Sequence, residues 1–261
     1  MIQQVKEGYV KTETHNGITT IEFFHPKANA LPVKILEELA KEIHFAGTHD
    51  DNKVIILKSE GDGTFCSGAP FDELLAIQSE SEGVKFFSGF ANVINAMRKC
   101  PKLIIGRIQG KCVGGAVGLV AAVDYAIASD KADIRLSELS IGIGPFVIGP
   151  AVERKIGTAA FSALAIDANN MRNSDWAKRK GLFAELHENM ESMEESISRL
   201  STTLSHSNPK AMSEMKKMFW KGTDHWDELL KERAAISGKL ILSEFSKKAI
   251  ANLNLRASHS N

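Results

Sequence analysis

The sequence predicts an α/β protein. Short apolar runs alternate with segments of helical period up to about residue 151, and two glycine-rich segments each follow one of those runs. Beyond residue 151 the chain is largely of helical period. Strand and helix in alternation are the mark of parallel βαβ units whose sheet is covered on both faces. Of the 261 residues, 43% are apolar and 25% charged, a globular balance that excludes a disordered chain, a collagen-like fibre and a disulfide scaffold.

The elements follow in chain order. Val10–Thr14 and Ile18–Phe24 flank Asn16-Gly17, a pair suited to the positive φ of a tight hairpin turn. From Pro32, which suits a first helical turn, Val33, Ile35, Leu36, Leu39, Ala40 and Ile43 recur at helical spacing. Val54–Leu57 reads as a buried strand. A helix is predicted over Val84–Lys99, with Phe86, Phe87, Phe90, Val93, Ile94 and Met97 on one side, and then a strand at Leu103–Ile105. A small-residue helix and the strand Tyr125–Ala128 come next. Helical spacing returns in 158–168, 192–204, 211–220 and 226–251, and a soft boundary near residue 200 separates a 1–200 core from a helical 201–261 region.

Thirty-two basic residues balance thirty-two acidic ones, so the whole chain has no bias toward nucleic acid or an anionic membrane. Cys66, Cys100 and Cys112 cannot all pair and include no CxxC, which suits free thiols in a reducing compartment. The opening MIQQVKEGYVKTE lacks the apolar stretch of a signal peptide. The longest apolar run, Val113–Val123, contains three glycines and falls short of the roughly 20 residues that span a bilayer. A soluble, cytoplasmic protein is the expectation.

Three segments could carry chemistry: GDGTFCSGAPFDE (61–73), QGKCVGGAVGL (109–119) and LSELSIGIGPF (136–146). The first two each lead from a strand into a helix, which aims unpaired backbone N–H groups at one region and suits a developing negative charge. Tight turns and close packing are the plain alternative. Neither segment has the spacing of a P-loop, a dinucleotide fingerprint or a G-x-S-x-G elbow. His44 and His49 lack the spacing of a metal site, and no metal is expected. Cys66 and Cys112 are either nucleophilic thiols or, more simply, small packing residues. Glu138, among Leu136, Leu139, Ile141 and Ile143, is either a carboxyl with a raised pKa that moves a proton or a turn cap beside Ser137.

At these residues the chain resembles the crotonase superfamily, the enoyl-CoA hydratase/isomerase family. The likeness runs through IEFFHPKANAL (21–31), VIILKSEGDGTFCSGAPFDEL (54–74), KLIIGRIQGKCVGGAVGLVAAVDYAIAS (102–129), IRLSELSIGIGPFVIGPAVERKIG (134–157) and WAKRKGLFAEL (176–186). The resemblance implies a spiral of ββα units and a helical C-terminal region that forms a homotrimer or a hexamer. It implies an acyl-CoA thioester as substrate, and no cofactor beyond the coenzyme A that the substrate carries. Residue by residue, it implies oxyanion-hole amides at Ala69 and Gly115, catalysis by Glu138, and coenzyme A contacts at Ala28, Ala30, Ser67, Gly68 and Phe71.

The departures from the family pattern steer the expected reaction. Hydratases of the family carry a first glutamate where this chain has Gly118, and Pro70 replaces the usual acidic residue after the oxyanion alanine. The HPKANAL segment is one residue shorter than the common hydratase form and is similar to that of Δ3,Δ2-enoyl-CoA isomerases. Gly142–Phe146 is similar to their Gly-x-x-x-Pro-Phe run, one residue shorter. A 1,3-proton shift needs one base, whereas hydration divides its work between two carboxylates. The expectation is isomerisation of a 3-enoyl-CoA, with a hydratase, decarboxylation or thioester hydrolysis on the same oxyanion hole, or an inactive acyl-CoA-binding protein as alternatives. Asp72 and Glu73 are either helix-terminal charges or a second carboxylate, and Asp124 matches a structural aspartate. Phe71 and Phe146 line an acyl pocket or pack a core. Met212, Met215, Met218, Phe219 and Trp226 face a neighbouring subunit or a private core.

Overall fold

The computed structural model describes residues 8–258. The reading of a missing leader therefore falls mostly on residues outside the described ones. Strands β1 (Tyr9–His15) and β2 (Ile18–Phe24) form the expected hairpin, with Asn16 and Gly17 at φ 51° and 78°. Helix α1 (Val33–Thr48) leads to β3 (Val54–Ser59), then to α2 (Phe71–Ala76), α3 (Glu80–Lys99) and β4 (Leu103–Ile108). Helix α3 starts four residues before Val84 because Ser79 caps it, accepting a hydrogen bond from the Glu82 amide. There follow β5 (Cys112–Val113), α4 (Gly115–Ala122), β6 (Tyr125–Ser129), β7 (Ile134–Arg135) and a 3-10 turn at Glu138–Ile141. Helices α5 (Gly149–Ile166) and α6 (Ser174–Arg179), strand β8 (Glu185–His187) and helix α7 (Met190–Ser205) close the sheet region.

The main sheet has six strands in the order β1-β2-β3-β4-β6-β8, parallel except for the antiparallel edge strand β1. Successive side chains point to opposite faces. Ile55, Leu57, Ile104 and Ala126 therefore join the large core with α1, α3 and α4, while Val54, Ile105 and Ile127 meet Met193 and Ile197 of α7 on the other face. A second, two-stranded sheet pairs β5 with β7 in parallel, and a bridge from Cys66 to Cys112 extends it. Strands this short carry no period-2 pattern, so the sequence does not announce that sheet.

The C-terminal stretch comprises α8 (Pro209–Phe219), α9 (Trp226–Leu240) and α10 (Glu244–Ser258). The 226–251 stretch is two helices, because the Ser243 hydroxyl accepts from the Ser246 amide and caps the second. Leu200 lies inside α7. Helix α8 is tied to the sheet through Asp124: its carboxylate accepts from the Ile104 amide at 2.7 Å and pairs with Lys216, 2.9 Å away and 2% exposed. Helix α9 crosses α3 at backbone contact; a Cβ on Gly83 would stand 2.7 Å from the Cα of Gly238. Met212 and Trp226 are buried in this chain's own core, whereas Met215, Met218 and Phe219 are exposed. No helix among the described residues is long and apolar enough to cross a membrane.

Candidate active site

Three chain segments lie side by side in the second sheet. The Val113 amide donates to the Cys66 carbonyl at 3.0 Å, and the Gly114 amide to the Arg135 carbonyl at 2.8 Å. Because these segments run parallel, their continuations emerge at one end. Ala69 follows Cys66, Gly115 opens α4, and Glu138 opens the 3-10 turn. One cavity of about 930 Å³ collects them: Ala28, Ala30, Ser67, Gly68, Ala69, Phe71, Gly115 and Glu138 all line it, as does Phe146.

The rim is held by backbone. Ser67 donates from its amide to the Ala28 carbonyl and Leu31 to that of Gly68, at 3.1 and 2.8 Å. Ala28 and Asn29 stand in the left-handed region, at φ 49° and 54°. The Asn29 side chain offsets that strain by donating to the carbonyls of Glu60 and Thr64. Gly68 has φ 84°, and a Cβ there would sit 2.7 Å from the Val113 carbonyl oxygen and 3.6 Å from the Gly115 nitrogen. Only glycine lets the two loops approach this closely. The amides of Ala69 and Gly115 donate to no acceptor among the described residues. That of Gly115 is at the positive end of α4.

Glu138 lies beside this pair. A Cβ on Gly114 would be 3.4 Å from its Oε1. The residue as a whole is half-buried, yet its Oε2 is enclosed and accepts no hydrogen bond among the described residues. Loss of water around the carboxyl raises its pKa to about 7; its own amide and the charge of Arg135 act more weakly in the opposite direction. Such a group exchanges a proton near neutrality.

The two other candidate carboxylates, Asp72 and Glu73, have structural partners. Glu73 Oε2 accepts from the Val33 amide at 3.0 Å, capping α1, and does not line the cavity. Asp72 does line it, but pairs with Lys27 at 2.8 Å, which holds its pKa below the usual range. Cys66 and Cys112 are buried and do not line the cavity, and desolvation pushes Cys66 up to about 12 and Cys112 well above its ordinary value, in keeping with small packing residues. Gly118 faces no open space: a Cβ there would be 2.5 Å from both Cβ and Cγ2 of Ile148. The position at which the resemblance would put a hydratase's first glutamate is filled by packing. Sequence reasoning missed Ile148, Phe90, Leu253 and Arg135, all of which line the cavity. Of these only Arg135, a charge between the apolar Ile134 and Leu136, left a local signal.

Comparison with known proteins agrees with this architecture. The family model described as enoyl-CoA hydratase/isomerase matches residues 13–252. A (7aS)-7a-methyl-1,5-dioxo-2,3,5,6,7,7a-hexahydro-1H-indene-carboxyl-CoA hydrolase of Rhodococcus jostii is 35% identical over 135 residues, 52% of each chain. The match thus spans about half the length of that relative. A trans-2-decenoyl-(acyl-carrier-protein) isomerase of Streptococcus mutans is 24% identical over 80% of each chain. The crystal structure of an enoyl-CoA hydratase from Bacillus halodurans superposes with a TM-score of 0.86, covering 94% of this chain and 99% of that one at 23% identity, a likeness of fold. With a family match over nearly its whole length, the chain belongs to the enoyl-CoA hydratase/isomerase family.

Proposed function

We propose that the protein isomerises 3-enoyl-CoA to 2-enoyl-CoA, with Glu138 as the single proton shuttle. Glu138 takes a proton from C2, the amides of Ala69 and Gly115 hold the negative charge that develops on the thioester oxygen, and the proton returns to C4 from the same side. One such donor is worth about 2.7–4 kcal/mol of barrier. The chemistry needs no cofactor beyond the coenzyme A of the substrate, which Ala28, Ala30, Ser67, Gly68 and Phe71 contact in this reading. The observation that carries it is the Glu138 carboxyl in the cavity, whose enclosed Oε2 has no hydrogen-bond partner among the described residues, with the Gly118 position packed against Ile148.

The test is Glu138→Gln, assayed by the conjugated absorbance that 3-enoyl-CoA gains on isomerisation. A loss of about 10²–10⁴ in kcat is expected. Turnover within a few-fold of the parent refutes the assignment. The 35% identity to a hydrolase favours hydrolysis as a second reading, which release of free coenzyme A thiol from the same substrate would report. Hydration would appear as lost absorbance of 2-enoyl-CoA, and binding without turnover would mark an inactive relative. The reading extends to residues 1–200 as the catalytic core and to 201–261 as the contact region of a cytoplasmic homotrimer or hexamer. The exposed Met215, Met218 and Phe219 are suited to such contacts.

A further inference from the structure

Between Ile134 and Leu136, both fully enclosed, strand alternation turns Arg135 toward the cavity that Glu138 also lines. The backbone there is fixed, since Arg135 is paired with Val113 and accepts from the Gly114 amide. Its Nε is enclosed and meets no acceptor, and its guanidinium forms no ion pair among the described residues. Glu138 is close enough to feel the Arg135 charge, yet its Oε2 is also without a hydrogen-bond partner, and no ion pair joins the two among the described residues.

An Nε–H that has lost its water and found no acceptor among the described residues is costly to the apo protein. An aliphatic acyl chain would leave it so, because a methyl terminus offers no acceptor. A carboxylate would satisfy it, since the planar guanidinium fork matches two oxygens at once. The thioester oxygen does not supply that group, being assigned to Ala69 and Gly115. We propose that Arg135 binds a second, anionic carboxylate on the acyl group, so that the substrates are coenzyme A thioesters of dicarboxylic acids. This inference rests on the acyl-CoA reading above and makes Arg135 the residue that selects the substrate class.

Equilibrium binding separates the two claims, because it requires no turnover. Wild-type protein is titrated calorimetrically with saturated mono-coenzyme A thioesters of α,ω-diacids of about four to eight carbons, and with fatty acyl-CoAs of the same lengths. The diacid thioester should bind at least about tenfold more tightly at one or more lengths. Arg135→Gln should bring the two series within about threefold of each other, and Arg135→Lys, which keeps the charge but not the fork, should fall between. Equal binding of both series by the wild type overturns the proposal, as does a preference that survives in R135Q. The wild-type comparison decides alone if a variant does not fold. Diacid preference without isomerisation would sink the isomerase reading and leave this one standing; no binding of either series would sink this one.

Discussion

The charge state of Glu138 should be visible in the stability of the fold. In an unfolded chain its carboxyl titrates near the ordinary value of 4.5, and in the folded protein at about 7. Between those values the folded state holds the proton that the unfolded state has released. Its contribution is therefore complete below the unfolded pKa and is lost as pH rises through the folded one. Glu138→Gln removes the titration and keeps the shape. Linkage between the two pKa values makes the variant gain about 2.5 kcal/mol on the wild type between pH 5 and pH 8. This is an upper value, because the residue is half-buried rather than fully enclosed. The assay is urea unfolding of both proteins at one protein concentration across that range. Stability curves that stay parallel would refute the reasoning, for they would mean that water reaches the carboxylate.

Other consequences follow from the same geometry. The kcat/KM for a 3-enoyl-CoA should rise with pH along an acid limb near 7, because Glu138 must be ionised to accept the C2 proton; a limb near 4.5 would contradict the burial. Gly118→Ala should destabilise the protein by about 1–3 kcal/mol in denaturant titrations, the collision with Ile148 outweighing the helix propensity gained, and Gly118→Glu should confer no hydration of 2-enoyl-CoA. Asp124→Ala should cost about 3–5 kcal/mol by stranding the buried Lys216, with much of the loss recovered in the double variant Asp124→Ala/Lys216→Met.

How far the sequence is legible depends on how local the determining physics is. The hairpin around Asn16-Gly17, the buried strands at residues 54–57 and 103–105, and the glycine segments all express preferences spanning a few residues. Ser79 and Ser243 set helix boundaries through single cap hydrogen bonds, which a hydrophobic period does not encode. Six of the eight residues singled out line one cavity because three parallel segments end together, a property of pairing across more than 60 residues of chain, while Ala28 and Ala30 reach it from a loop whose Ala28 carbonyl accepts from the Ser67 amide.

By itself, the sequence determined an α/β chain of the enoyl-CoA hydratase/isomerase family, with one candidate acid on the third segment and none at Gly118. Tertiary structure alone decided that Gly118 faces Ile148 rather than a void, that Glu73 caps a helix while Asp72 pairs with a lysine, and that Arg135 reaches the cavity with its Nε unpaired among the described residues. Desolvation and packing are sums over neighbours brought together by the fold. A carboxyl or guanidinium therefore acquires its pKa and its missing partner only once distant strands have enclosed it.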